Sequence, residues 1–186
     1  RTRLLKSSNR EDFQDFILDT LSRAKRHDEC IEMIETLMDE VITILRALPE
    51  GGRRRPLERP RDEQLVNRPN EPATLEMLTG RLENLRARLA IQLITAKRYR
   101  DAEQKLTTWL EAAADPLTRV RYLLGLAETQ RSQGNEQQAG ANLERALVLQ
   151  PTDVTLNNDI AYLWIDRGVR LPEAEKMIRY SVGRAP

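Results

Sequence analysis

Apolar residues recur along this chain at the spacing of amphipathic helices. Near the N-terminus, two successive segments carry one apolar side chain every three or four residues, which places these side chains on one face of a helix. The first stripe consists of Phe13, Phe16, Ile17 and Leu21, and the second of Ile31, Ile34, Leu37, Val41 and Ile44. The pattern predicts a helical hairpin within residues 1–48.

The segment from residue 49 to residue 73 has a different composition. It is rich in Pro, Gly and Arg and poor in large apolar groups, so it lacks the side chains that a packed element would bury. We predict a linker or long loop there. Thr74 then caps a further helix that continues to about Thr95, and its apolar residues are Leu75, Leu78, Leu82, Leu85 and Leu89.

The second half of the chain contains a pattern typical of a helical hairpin. In residues 124–151, Gly134 follows Ala127 by seven residues, and Ala139 lies five residues further on. Small side chains such as these alanines let two antiparallel helices approach closely. Gly134 can adopt the left-handed conformation that ends the first helix, and Pro151 stops the second.

The same spacing occurs twice more. Residues 154–186 match it with Ile160, Ala161, Gly168, Ala174, Ile178, Ser181 and Pro186, and residues 83–116 match it with Leu89, Ala90, Tyr99, Ala102, Leu106 and Trp109. In the latter segment Lys97 replaces the turn glycine and Trp109 replaces a small residue. Asp115 and Pro116 supply a cap and a first helical position for the hairpin that follows. We therefore predict three repeats within residues 74–186, at about 83–116, 120–153 and 154–186.

These residues and their spacing resemble the tetratricopeptide repeat family over residues 83–186. The resemblance implies an all-α fold, a right-handed α-solenoid of antiparallel helical hairpins, in which residues 1–48 can be interpreted as a degenerate repeat with Cys30 in the small-residue position. It also implies a concave surface, lined by the first helix of each repeat, that binds a peptide or a partner helix. That groove would consist of Asn84, Arg88, Ile91 and Thr95, then Arg121, Leu124, Glu128 and Arg131, then Thr155, Asn158, Asp159 and Tyr162.

Two arginines are the predicted anchors of this groove. Arg88 and Arg121 suit an acidic side chain or a terminal carboxylate, and Tyr162 offers a flat apolar contact with a polar tip. The family subtype that clamps chaperone tails needs Lys and Asn where this chain has Ala87 and Ile91, so that subtype is excluded. The predicted partner is another protein or peptide, and an acidic one would complement the arginines.

The charge balance argues against nucleic acid as the main partner. Thirty Lys and Arg oppose 29 Asp and Glu, for a formal net charge of +1, so the chain as a whole has no electrostatic pull toward phosphate or an anionic membrane. The arginine-rich segment Arg53–Arg61 is a candidate for phosphate contact. Acidic neighbours such as Glu58 dilute it and no aromatic residue is interleaved for base stacking, so a solvated linker is the favoured interpretation.

Residues for catalysis or cofactor binding are scarce. His27 and Cys30 lie one helical turn apart, a spacing that suits two metal ligands, but no second pair completes a tetrahedral site. Cys30, Trp109 and Trp164 are therefore predicted to be core residues. The chain has no phosphate loop, no nucleophile elbow and no pair of carboxylates in a concave context. We expect no catalysis, metal or cofactor, and the alternative is that the chain is the regulatory or substrate-recruiting arm of a larger enzyme.

The two ends of the sequence lead to further expectations. No apolar run reaches the roughly 18 residues of a membrane span, and no secretory h-region is found. We expect no membrane span and favour a cytoplasmic location, although an upstream targeting segment is compatible with a first residue other than Met. Trp164, Ile178 and Val182 occupy faces that normally pack against a following helix. We expect the natural chain to continue, or a partner or second copy to cover this C-terminal hairpin.

Overall fold

The computed structural model describes residues 7–48 and 75–183. Every regular element in these two ranges is an α-helix: α1 (Ser7–Arg23), α2 (His27–Ala47), α3 (Leu75–Thr95), α4 (Tyr99–Ala112), α5 (Pro116–Ser132), α6 (Glu136–Leu149), α7 (Val154–Asp166) and α8 (Leu171–Val182). The all-α expectation is confirmed for this part of the chain. The predicted linker at 49–73 and the predicted cap Thr74 lie outside the described residues.

The helices belong to two compact units, residues 1–96 and 97–186, which we call unit 1 and unit 2. The division falls between Ala96 and Lys97, within the segment predicted as the first repeat. Helix α3 therefore belongs to unit 1 and helix α4 to unit 2. The domain boundaries drawn from the sequence stay predictions.

In unit 1, α2 packs against both α1 and α3. The predicted stripe of α1 is wrong in part, because Leu18 is buried while the rings of Phe13 and Phe16 are 58% and 65% exposed. At 100° per residue, the two rings lie on the side of α1 opposite Leu18. The predicted stripe of α2 is buried from Ile31 to Val41, but Ile44 near the C-terminal end is 47% exposed.

In unit 2, each helix packs against its neighbours in sequence. Small residues lie where the helices meet: Ala102, Ala127, Ala139, Ala161 and Ala174 are at most 1% exposed, as their spacing predicted. Two glycines make the contacts closer still. A Cβ atom at Gly125 would lie 2.9 Å from Leu106 of α4, and one at Gly140 would lie 2.8 Å from Leu163 of α7.

The turns between α1 and α2, α3 and α4, α5 and α6, and α7 and α8 each contain a left-handed residue. Gly134 has φ +79° and Gly168 φ +65°, which confirms the predicted role of Gly134. Lys25 and Lys97 adopt the same conformation, with φ 57° and 59°. Both lysines stand in the tripeptide Ala-Lys-Arg, at 24–26 and 96–98. In each case the arginine pairs with an acid three residues later, Arg26 with Glu29 and Arg98 with Asp101.

Two helices of unit 2 have an aspartate as the N-cap: Asp115 precedes α5 and Asp153 precedes α7. The Thr118 amide donates to Asp115 Oδ1 at 2.9 Å, and the Leu156 amide donates to Asp153 Oδ1 at 2.8 Å. Each carboxylate satisfies a backbone donor that the first helical turn leaves unpaired. Pro116 follows Asp115 at the first helical position, as predicted. These caps fix where α5 and α7 start, and therefore which of their residues face solvent.

Candidate partner-binding surface

The predicted groove residues lie on three helices, and none of them is buried. Asn84, Arg88 and Ile91 belong to α3 in unit 1, Arg121, Leu124, Glu128 and Arg131 to α5, and Asn158, Asp159 and Tyr162 to α7. The structure thus groups the α5 and α7 members within unit 2 and assigns the α3 members to unit 1. Thr95 and Thr155 are exposed on α3 and α7.

On α3, the predicted anchor Arg88 is already paired within unit 1. Its guanidinium lies 3.4 Å from Asp15 Oδ1 and also pairs with Asp19, both on α1. Arg81, two turns earlier on α3, lies 3.2 Å from Glu11, which is also on α1. A partner's carboxylate at Arg88 would have to compete with two carboxylates in place. Arg88 therefore links α3 to α1 through two ion pairs.

On α5, exposed residues follow one another at intervals of four, three, four and three positions, so they share one face. They are Leu117, Arg121, Leu124, Glu128 and Arg131, and we call them the α5 stripe. Leu117 is 56% exposed and Leu124 37%. Arg131 lies 3.9 Å from Glu128 Oε2. Arg121 has no hydrogen-bond or ion-pair partner among the described residues, so its charge is available to a ligand.

A cavity of about 370 Å³ is bordered by the C-terminal end of α5, the first residue of α6 and one face of α7. It is lined by Arg131, Glu136, Asp159, Tyr162, Leu163, Asp166 and Arg167. Burial raises the pKa of the Asp159 carboxyl, the Arg131 guanidinium works against that rise, and Asp153 adds to it. Internal charge therefore does not fully compensate this carboxylate, and a cationic group entering the cavity would stabilise it.

The sequence prediction missed part of this surface. Leu117 was not predicted because the groove positions of the repeat family are counted from Val120, after the start of α5. Its spacing from Arg121 and Leu124 nevertheless indicates a shared face. Glu136 and Arg167 were not predicted because they line the cavity from the start of α6 and the residue after α7. The spacing of residues within a single helix cannot show which residues of neighbouring segments line the same cavity.

A second cavity, of about 460 Å³, lies between α4 and α6 over α5. Glu103 and Glu111 line it from α4, and Asn142 and Arg145 from α6. Asn142 is buried. Its amide donates to Gln130 Oε1 at 2.9 Å and its carbonyl accepts from Arg145 at 2.9 Å. Asn142, Gln130 and Arg145 thus hydrogen-bond to one another, so these side chains are already engaged within the cavity. We therefore place the candidate site at the α5 stripe.

Cys30 and His27, the two candidate metal ligands of unit 1, each contact other residues of the same unit. Cys30 is 1% exposed, which confirms it as a core residue, and its Sγ atom lies 3.7 Å from the Leu18 carbonyl oxygen. Burial raises the pKa of this thiol, against the opposing effect of Arg88. His27 Nδ1 lies 2.9 Å from Gln92 Oε1. Residues 7–48 and 75–183 contain no group of three or more His, Cys, Asp or Glu side chains placed to hold a metal ion.

Two remaining expectations concern membranes and nucleic acid. Among the helices in the described ranges, none is both long enough and apolar enough to cross a membrane. The Arg53–Arg61 segment lies outside the described residues. No model of a known protein family matches the chain, and neither a curated protein nor a solved structure is found to match it.

Proposed function

We propose that the chain is a protein-interaction module that binds a peptide or a partner helix along α5 and α7. The observation that carries this proposal is the α5 stripe, where Arg121, which has no internal partner among the described residues, lies between the exposed side chains of Leu117 and Leu124. Surfaces that combine an arginine with apolar and aromatic anchors are typical of peptide recognition. Tyr162, 57% exposed at the adjoining cavity, supplies the aromatic anchor.

The repeat architecture is part of the same proposal. Helices α5 to α8 would form two successive tetratricopeptide-like hairpins of a right-handed solenoid, with α5 and α7 as the first helices that line one concave surface. Three observations support this arrangement: the buried alanines at equivalent positions, the left-handed glycine in the α5–α6 turn and in the α7–α8 turn, and the packing of each helix against its sequence neighbours.

The spacing of charges on α5 constrains the bound segment. Arg121 and Arg131 lie ten residues apart on one helix, which corresponds to about 15 Å. An extended peptide of about five residues, or about three turns of a helix, spans that distance. The segment would place a carboxylate at Arg121 and apolar side chains at Leu117 and Leu124. A basic side chain at its other end would meet Asp159.

The test is affinity capture from a cell extract with identification by mass spectrometry. Arg121→Glu and Arg131→Glu together reverse the charge of the α5 stripe. Arg100→Glu, at an exposed position on α4 outside the stripe, is the matched control. We expect the wild type and the control to retain one set of partners and the double variant to lose it, with unchanged helical circular dichroism. Retention of the whole set by the double variant would show that the binding surface lies elsewhere.

A further inference from the structure

Helix α8 carries a second exposed stripe, separate from the proposed groove. Leu171, Glu175, Ile178 and Val182 follow one another at intervals of four, three and four residues. Leu171 is 50% exposed and Val182 70%, while Ile178 is half-buried. The three apolar members, Leu171, Ile178 and Val182, lie seven and four residues apart and share one face of the helix with Glu175, a spacing that suits the seam of a two-helix contact. We call these residues the α8 stripe.

The stripe lies beside the face by which α8 packs into unit 2. Ala174 and Ser181 are 0% and 4% exposed, and Ser181 Oγ donates to the Val154 carbonyl oxygen at 3.0 Å. Contact with α7 therefore uses a neighbouring face of α8. The stripe remains accessible to another molecule.

Trp164 is a core residue, as the sequence predicted, and it is therefore not part of the uncovered C-terminal face to which the sequence also assigned it. It is 6% exposed, and its indole N–H donates to Glu144 Oε1 at 3.0 Å. The Arg170 guanidinium covers its ring at 4.0 Å from the centroid. The chain thus covers its own tryptophan. The apolar side chains that stay exposed at this end are Ile165 of α7 (44%), Val169 (45%), and Leu171 and Val182 of α8.

The α8 stripe is complementary to a reversed copy of itself. Its intervals of four, three and four residues are the same in both directions. A second copy of α8 running antiparallel therefore places Leu171 opposite Val182 and Glu175 opposite Ile178, on both sides of a two-fold axis. Such a contact is isologous, so one surface serves both copies and the assembly closes at two.

Charge selects the antiparallel arrangement. Within one helix, Arg179 Nη2 lies 2.7 Å from Glu175 Oε1, and both side chains are well exposed. In the antiparallel pair, Arg179 of each copy lies opposite residue 174, next to Glu175 of the other copy. Unlike charges then alternate across the axis. A parallel pair would instead place Glu175 beside Glu175 and Arg179 beside Arg179, which costs energy.

We propose that α8 is the contact between two copies of this chain in an antiparallel two-fold dimer. The helix has 12 residues, so the contact is about 18 Å long. A contact of this length buries less than the roughly 1,200 Å² of a standard stable interface. The dimer is therefore weak and forms with increasing protein concentration. This proposal does not depend on the proposed function of the α5 stripe.

The test is sedimentation equilibrium of the full chain over a range of concentrations. The wild type should shift from monomer mass to dimer mass. Glu175→Arg leaves only positive charge beside the axis and Arg179→Glu leaves only negative charge, so each variant alone should stay monomeric over the same range. An equimolar mixture of the two should dimerise. Because the pair within one helix is broken in both variants, recovery in the mixture reports contact between chains.

The matched control is Val148→Asp, at an 80% exposed apolar position on α6. It should dimerise like the wild type, and circular dichroism should show every variant folded. The proposal is overturned by a wild type that remains monomeric, by single charge variants that dimerise unchanged, by a mixture that stays monomeric, or by loss of the dimer in the control.

Discussion

The two units use arginine differently. In unit 1, Arg81 and Arg88 of α3 pair with carboxylates of α1. In unit 2, Arg121 of α5 has no such partner among the described residues. The difference follows from how each helix is held in place. Of the α1 side chains that the structure describes, Leu18 alone is buried, whereas α5 buries Val120, Tyr122, Leu123, Leu126, Ala127 and Thr129.

This comparison shows which of the two predicted anchor arginines is left without an internal partner among the described residues. In unit 1, carboxylates of α1 occupy Arg81 and Arg88 of α3, although such solvent-accessible pairs add at most about 1 kcal/mol each to stability. A helix anchored by many apolar side chains leaves its exposed charges available. The sequence presents Arg88 and Arg121 as equivalent anchors, but the structure makes only Arg121 accessible without competition.

The largest effect should come from removing the apolar anchor of α1. Leu18→Ala deletes a side chain that is 0% exposed and should lower the free energy of unfolding of unit 1 by about 2–5 kcal/mol. Val148→Ala, at an 80% exposed site, is the control and should change it by less than about 0.5 kcal/mol. Urea unfolding measures both, and hydrogen exchange should show faster exchange in α1. A loss similar to the control's would mean that the ion pairs alone hold α1.

The second effect tests the close packing of unit 2. Ala127 is 0% exposed, so Ala127→Leu should overpack the junction of α5 with its neighbours and cost about 1–3 kcal/mol. Ala141→Leu places the same side chain at an exposed position of α6 and should be nearly neutral. Urea unfolding distinguishes the two variants. Equal stability of both would remove the support that Ala127 gives to the repeat spacing.

Local sequence signals predicted the helices, the buried alanines and the left-handed Gly134, because periodicity and side-chain size act within one or two helical turns. They did not predict the neutralisation of Arg88, since Asp15 and Asp19 lie 73 and 69 residues away in sequence. The exposure of Phe13 and Phe16 was missed for a related reason. Which side of α1 faces the core depends on α2 and α3, and not on the stripe itself.

The third effect concerns the turns: the left-handed residue is Gly134 between α5 and α6 and Lys25 between α1 and α2. A left-handed conformation costs a residue with a Cβ atom about 1–2 kcal/mol. Gly134→Ala should therefore destabilise unit 2 by about that amount, because no neighbour lies within 4 Å of the added Cβ and only the φ of +79° opposes it. Lys25→Gly should stabilise unit 1 by up to about 1 kcal/mol.

Gly80→Ala is the control for these turn variants. Gly80 lies within α3, where an added Cβ also meets nothing within 4 Å and the backbone is helical, so the substitution should stabilise by about 0.5–1 kcal/mol. Thermal unfolding compares the four proteins. If Gly134→Ala stabilises as Gly80→Ala does, the left-handed conformation is not required at that turn.

The smallest effect tests the comparison of arginines itself. A double-mutant cycle of Arg88→Ala and Asp19→Ala should give a coupling energy below about 1 kcal/mol, because the Asp19 carboxylate is well exposed to water, which screens the pair. High salt should reduce that coupling further. Arg121→Ala should change stability by less than about 0.5 kcal/mol at any salt concentration, since it breaks no ion pair in the described residues. A salt-dependent loss at Arg121 equal to that at Arg88 would mean that Arg121 also serves to hold its unit together, and that the α5 stripe offers a ligand no unpaired cation.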